Sequence, residues 1–146
     1  MKVIAKNRKA RHDYQVTETL EAGIALTGTE VKSCRAGAVS IAEAHARVLD
    51  GELWLIGAHI HEYDFGNRNN HAPRRDRKLL VHKKEIVRLK QATEAKGMTL
   101  VPLALGLNRG KIKVEIGVCR GKDKGDKRQA LREKAHLMEA TRAMRG

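Results

Sequence analysis

Met98-Thr-Leu-Val-Pro-Leu-Ala-Leu-Gly-Leu107, Asn108-Arg-Gly110 and Lys111-Ile-Lys-Val-Glu-Ile-Gly-Val118 together decide the fold. Two apolar, β-favouring runs around a short glycine-bearing turn read as a hairpin. Upstream, residues 39–49 and 52–57 flank Asp50-Gly51, a second hairpin signal. Residues 14–17 read as a short alternating strand, residues 20–26 as another apolar segment, and residues 59–63 continue an extended pattern. Helical spacing occurs in residues 28–35, where Val31 and Cys34 point inward and Gly37 ends the turn. It recurs in residues 83–96, where Ile86, Leu89 and Thr93 share a face, Val87 widens it and Gly97 closes it. Residues 64–77 read as a basic loop. About six strands, one or two helices and no repeat predict a mainly β chain, an antiparallel barrel with packed helices.

The 146 residues suit one compact domain, and 41% apolar content is enough for a core. No apolar run is long enough for a membrane span, and the N-terminus turns polar before a signal core forms. Cys34 and Cys119 lie far apart without CxxC spacing and read as reduced thiols, which predicts a cytoplasmic protein. The 30 Lys and Arg against 17 Asp and Glu leave a net charge of +13, which implies an anionic partner. That excess is concentrated at +4 in residues 1–13, +6 in residues 66–84 and +5 in residues 119–146. Three separate basic regions fit a long polyanion better than a small metabolite, and no segment has the amphipathic basic face of a membrane binder. Tyr14, Trp54, Tyr63 and Phe65 are the only aromatic residues, too few for an extended single-strand stacking surface. Without an RNP motif, zinc-knuckle spacing or helix-turn-helix pattern, a folded RNA recognised through phosphates and a few loop bases is the expected partner.

From Gly121 onward no strand signal is present. Residues 129–145 are rich in helix formers, Asp126 stands three residues before Gln129 as a capping box, and Leu131, Ala135 and Met138 form a thin apolar stripe. Such a helix is marginal alone in water and is expected to order on an anionic groove.

Catalysis finds little support. His59 and His61 share a strand face, and His71 and His82 are separate; no thiol or carboxylate cluster completes a metal set. Glu21, Glu30 and Asp64 form no paired acid/base motif, and no phosphate-binding P-loop is present. The chain is expected not to be an enzyme and to need no metal or cofactor. In residues 74–81 forked guanidinium donors adjoin Leu79, Leu80 and Val81, of which strand alternation turns one outward.

Several blocks occur in one order: Asn7-x-x-Ala10-Arg-His-x-Tyr14, Glu21-Ala-Gly-Ile-x-Leu-x-Gly28-x-Glu-Val-Lys-Ser33, Arg77-Lys-Leu-Leu80, Lys111-x-Lys-Val114 and Gly121-Lys-x-x-x-Asp-Lys-Arg128. Together, over essentially the whole chain, they resemble the SsrA-binding protein (small protein B) family of bacterial trans-translation. The resemblance implies an oligonucleotide-binding-type barrel with flanking helices in residues 1–120, and a basic tail in residues 121–146 that is helical on the ribosome. It implies binding to the tRNA-like domain of transfer-messenger RNA (tmRNA, SsrA RNA) as a monomer. Delivery to stalled ribosomes would follow, with elongation factor Tu acting through alanyl-tmRNA. The tail would enter the decoding centre and the empty mRNA channel of the small subunit. By position, Glu21 matches an RNA-binding acid that accepts from base amines. Asn7, Arg11 and His12 match an arm beside the RNA, and Leu80 and His82 match RNA-facing positions after Arg77 and Lys78. Lys113 and Arg120 match basic positions near the RNA or the ribosome. Lys122, Asp126, Lys127, Arg128, Arg132 and Lys134 fall in the ribosome-contacting tail. Many relatives carry Asn at the position of His82, an aromatic or His at that of Gly125, and Asp at that of Ala72. A glycine cannot stack, so that one tail contact is absent or replaced.

Two other classes stand beside this reading. One is a general ribosomal or nucleoid binder with basic tails; the other is a metal-dependent RNA-processing enzyme using the histidines.

Overall fold

The structure, a computed structural model of the chain, describes residues 1–66 and 70–121. Along them run β1 (Lys2–Lys6), α1 (Ala10–Asp13), β2 (Tyr14–Ile24), α2 (Gly28–Arg35), β3 (Val39–Ser40), β4 (His45–Leu49), β5 (Glu52–Ile56), β6 (His59–Ile60), β7 (Arg77–Leu80), α3 (Lys83–Glu94), β8 (Met98–Asn108) and β9 (Lys111–Gly121).

The hairpin of residues 98–118 is present and longer than its apolar runs, with each strand extending over 11 residues. Asn108 pairs with Lys111, so the loop is Arg109-Gly110, both with positive φ (53° and 77°). Asp50-Gly51 joins β4 to β5 in the same way, at 52° and 74°. Positive φ at both loop positions matches the twist of the flanking strands, so both turns hold their registers. All strand pairings are antiparallel, and β8, β4, β5, β7, β2 and β9 close into a ring because β9 returns to β8. Closure leaves those six strands without the free edges of an open sheet. β1 lies on β8 outside the ring, with Lys2 opposite Leu107 and Lys6 opposite Ala104.

Alternation places Ala22, Ile24, Leu53, Leu55, Leu79, Leu100, Leu105, Val114 and Ile116 inside the barrel, joined by Leu89 of α3 and Cys34 of α2. A second small cluster lies outside the barrel wall: Ala10 of α1 packs with Val101, Leu103 and Cys119, flanked by Tyr14 and Val16.

Several expectations are corrected. Nine strands and three helices occur among the described residues, rather than about six strands and one or two helices. Residues 14–17 and 20–26 belong largely to one strand, β2, interrupted by a bulge at Thr17, whose Oγ1 donates to the Val118 carbonyl (2.9 Å). The bulge breaks the two-residue alternation that would have joined them. Residues 39–49 divide into β3 and β4, and only His59–Ile60 of the 59–63 segment is strand. β1 carries no local strand signal, only three apolar residues between Lys2 and Lys6, and lysines suit such an edge strand. Gly121 is the last residue of β9, opposite Tyr14, and therefore belongs to the barrel rather than the tail. The helix expected over residues 129–145, the Asp126 cap and the tail site residues Lys122, Asp126, Lys127, Arg128, Arg132 and Lys134 lie outside the described residues.

Candidate nucleic-acid interface

Three of the sequence-selected residues meet on the outer barrel face. Gly23 of β2 pairs with Lys113 of β9 on one side and Leu80 of β7 on the other. A Cβ at Gly23 would stand 3.2 Å from the Leu80 Cβ, so glycine leaves the space that Leu80 lies across. Leu80 is 52% exposed, whereas Leu79 is buried, so alternation turns one leucine inward and one outward. Leu80, Val31, Leu26, Lys111 and Lys113 line a cleft of about 360 Å³ beside the β8–β9 turn. Arg35 Nη2 donates to the Gly110 carbonyl (3.1 Å) and ties α2 to that turn.

Glu21 is exposed two residues before Gly23 on the same face, directly opposite Glu115 of β9. Asn108 Nδ2 donates to both Glu21 oxygens, at 3.0 and 3.3 Å. The amide orients the carboxylate and leaves it lone pairs for further donors. An acceptor, an apolar floor and two ammonium groups thus share one small surface, a combination suited to exposed bases and adjoining phosphates.

Other selected residues stand elsewhere. Arg120 is exposed near the far end of β9, about 24 Å along the strand from Lys113. Arg11 and His12 ride on α1 near that end, where the Arg11 charge acts on the Cys119 thiol. His12 Nδ1 lies 3.0 Å from Asp13 Oδ1. His82 is exposed before α3, its carbonyl accepting from the Glu85 and Ile86 amides. Lys78 Nζ lies 3.3 Å from Glu52.

Two of the residues expected to contact RNA are buried. Asn7 is buried, its Nδ2 donating to the Pro102 carbonyl (3.0 Å) and its backbone N–H to the Leu103 carbonyl (2.8 Å). It clasps the β8 bulge, where Pro102 is opposite Ile116 and Ala104 opposite Glu115. Arg77 is 0% exposed: Nε donates to Glu30 Oε2 (2.6 Å), Nη1 to the Ala58 carbonyl (2.8 Å) and Nη2 to the Pro73 carbonyl (3.0 Å). A guanidinium held inside the protein in this way is not presented to a phosphate.

Glu30 organises that interior. Its Oε1 accepts from Arg75 Nη2 (2.5 Å) and from the Thr27 amide (2.9 Å), and the Thr27 hydroxyl accepts from the Glu30 amide to complete a capping box. Burial pushes the Glu30 carboxyl upward, but the hydrogen bonds from Arg75, Thr27 and Arg77, with the charge of Arg77, hold it below its ordinary value of 4.5. His71 bridges the Thr29 hydroxyl and the Ile60 carbonyl (2.9 and 2.8 Å), fastening the same loop to α2. Thr27-x-x-Glu30 was the available signal for the cap; the partnership of Glu30 with residues 45 and 47 positions away had none. Part of the +6 of residues 66–84 therefore faces inward.

Among the described residues no group of three His, Cys, Asp or Glu side chains is placed to hold a metal, and no helix is long and apolar enough to cross a membrane.

The model of the family described as SmpB protein matches residues 4–146. The chain belongs to that family. It is 54% identical to an SsrA-binding protein of Leifsonia xyli subsp. xyli over 143 residues, covering 98% of this chain and 90% of the relative. A relative of the same name from Acidothermus cellulolyticus is 55% identical over the same shares of each chain. A solved chain described under "tmRNA-SmpB: a journey to the center of the bacterial ribosome" matches with a TM-score of 0.70 and 52% identity, over 87% of this chain and 93% of that one. The antiparallel barrel expected from the sequence is thus the fold of the family.

Proposed function

We propose that this protein is an RNA-binding adaptor that holds the tRNA-like domain of tmRNA and carries it to stalled ribosomes in the cytoplasm. The cleft bounded by Leu80, Lys111 and Lys113, with Glu21 beside it, carries the reading. It offers base acceptance, apolar contact and phosphate neutralisation without a group arranged for bond cleavage. The relatives' name, SsrA-binding protein, supports the same RNA, and the solved relative supports the ribosome as the destination. The basic tail, including Asp126, Lys127 and Arg128, then occupies the empty mRNA channel, and the RNA and ribosome perform tagging.

Binding to the isolated tRNA-like domain and to ordinary tRNA tests the first half. A preference for the tRNA-like domain that survives moderate salt is expected, whereas equal affinities that collapse together with salt would identify a general basic RNA binder. Truncation after Lys124 tests the second half. RNA affinity should remain nearly intact while tagging on stalled ribosomes is lost; continued tagging would remove the tail mechanism.

A further inference from the structure

Phe65 is 79% exposed at the tip of a turn closed by the Gly66 amide donating to the Tyr63 carbonyl (2.8 Å). It is the most exposed large apolar side chain among the described residues. Among the described residues its ring meets that of Tyr63 edge-on, with centroids 5.5 Å apart and planes at 67°. We propose that Phe65, braced by Tyr63, is a stacking site for an unpaired base of ribosomal RNA.

The support is already built. Asn70 Oδ1 accepts from the Tyr63 amide (3.0 Å), and its Nδ2 donates to the Tyr63 carbonyl (2.7 Å). Lys32 Nζ stands 5.4 Å from the Tyr63 ring centroid. A Cβ at Gly66 would meet Asn70 Nδ2 at 2.7 Å and Thr29 Cγ2 at 3.1 Å, so only glycine lets the turn press this closely on α2. The loop returns to the barrel through His71 and the buried Glu30–Arg77 pair. A ring presented on a turn ordered beforehand loses little freedom when it captures another flat ring.

Stacking on an aromatic side chain is a principal way proteins hold splayed RNA bases, and it accepts any base. The surroundings choose between the two RNAs of the proposed function, on which this inference rests. Val31 lines the cleft assigned to tmRNA; Lys32, one residue on and about 100° around the helix, faces Tyr63 instead. The platform thus stands on the other flank of α2. Glu62 and Asp64 are exposed in the same segment, with His61 Nε2 3.9 Å from Asp64, so two carboxylates flank the ring in sequence. A ring flanked by carboxylates adds little to electrostatic capture and acts on an RNA already brought close, which fits docking on the ribosome.

The test uses a Trp54→Phe background, in which Phe65→Trp is the sole tryptophan. Its fluorescence should be quenched when the tmRNA complex joins small ribosomal subunits and stay unchanged with the isolated tRNA-like domain. Phe65→Ala should weaken the complex for small subunits roughly ten-fold or more, leave tRNA-like domain affinity unaltered, and be rescued by Phe65→Tyr. Quenching by the tRNA-like domain alone would reassign the base to tmRNA and overturn the proposal. So would rescue by Phe65→Leu as complete as by tyrosine, which would mark an apolar protein partner, or an unchanged subunit affinity. Failure of the wild-type chain to bind the tRNA-like domain would instead remove the adaptor reading itself.

Discussion

Glu30 Oε2 lies 2.6 Å from Arg77 Nε, and neither side chain reaches solvent. The pair joins the first turn of α2 to the start of β7, so it fixes the loop between β6 and β7 at both its helix and its strand contacts. A buried pair of this kind adds little stability over apolar residues of equal size, but breaking it leaves one charge uncompensated.

Arg77→Met should therefore destabilise the protein by about 3–5 kcal/mol, read as a lower urea midpoint. Glu30→Leu added to Arg77→Met should recover much of the loss. RNA affinity, measured under conditions where the variant is folded, should stay close to wild type. A variant as stable as wild type but defective in RNA binding would return Arg77 to the interface.

Acid should act through the same pair. The folded carboxyl of Glu30 titrates below its ordinary value, because hydrogen bonds from Arg75, Thr27 and Arg77 outweigh the upward push of burial. A depressed carboxylate contributes stability above its unfolded value, about 4.5, and that contribution disappears as pH falls through the folded value. Urea midpoints from pH 7 to 3 should fall below about pH 4.5. Glu30→Gln should be less stable at neutral pH and show a shallower acid limb. An unchanged acid limb in that variant would exclude Glu30 as a source of acid sensitivity.

Alkali should report on Cys34. Burial pushes its thiol up to about 11, with the charge of Glu30 adding to the shift and that of Arg77 opposing it. The unfolded thiol ionises from about 9, so stability should decline as pH rises from 9 towards 11. Cys119, also buried, is pushed up by burial against the charge of Arg11. Neither thiol should react with iodoacetamide at pH 8 until urea unfolds the chain. Rapid stoichiometric labelling of native protein would contradict this.

The parts of the fold legible in sequence were those written in local patterns. Asp50-Gly51 and Asn108-Arg-Gly110 marked their hairpins because turn chemistry is confined to neighbouring residues. Leu79 and Leu80 illustrate the limit: alternation predicts that one faces outward, but the pairing of Leu80 with Gly23 shows which. Glu21, Leu80 and Lys113 share one outer face of the barrel, a convergence set by strand register and not by any one block. Asn108, which orients Glu21 from 87 positions away, was read only as a turn residue. The burial of Arg77 is hidden from local pattern for the same reason. A guanidinium in a basic run looks like a phosphate ligand until a buried carboxylate 47 positions upstream is brought against it.

Glu21 supplies a prediction that opposes net charge. Glu21→Ala makes the protein one unit more positive, yet it removes the acceptor that Asn108 holds in place. Affinity for the tRNA-like domain should fall, by about 1–3 kcal/mol if the carboxylate accepts from a base. Asn108→Ala should produce a smaller loss in the same direction, because Glu21 remains but is no longer oriented. Titrations at two salt concentrations measure both. Tighter binding by Glu21→Ala at either salt would mean that charge alone governs the interface.

Lys113 and Lys78 separate free from neutralised cations. Lys113 lines the cleft and has Gly23 and Gly106 as its cross-strand neighbours on β2 and β8, so no carboxylate stands directly opposite it. Lys78 lies 3.3 Å from Glu52. A lysine that neutralises an RNA phosphate releases a counterion, so its removal lowers the slope of log affinity against log salt by about 1. Lys113→Ala should show that change and weaken all RNA ligands together. Lys78→Ala should leave the slope nearly unaltered, because Glu52 already balances the charge it removes. A larger slope change for Lys78 than for Lys113 would place the phosphate track across β5 and β7 instead of the cleft between β7 and β9.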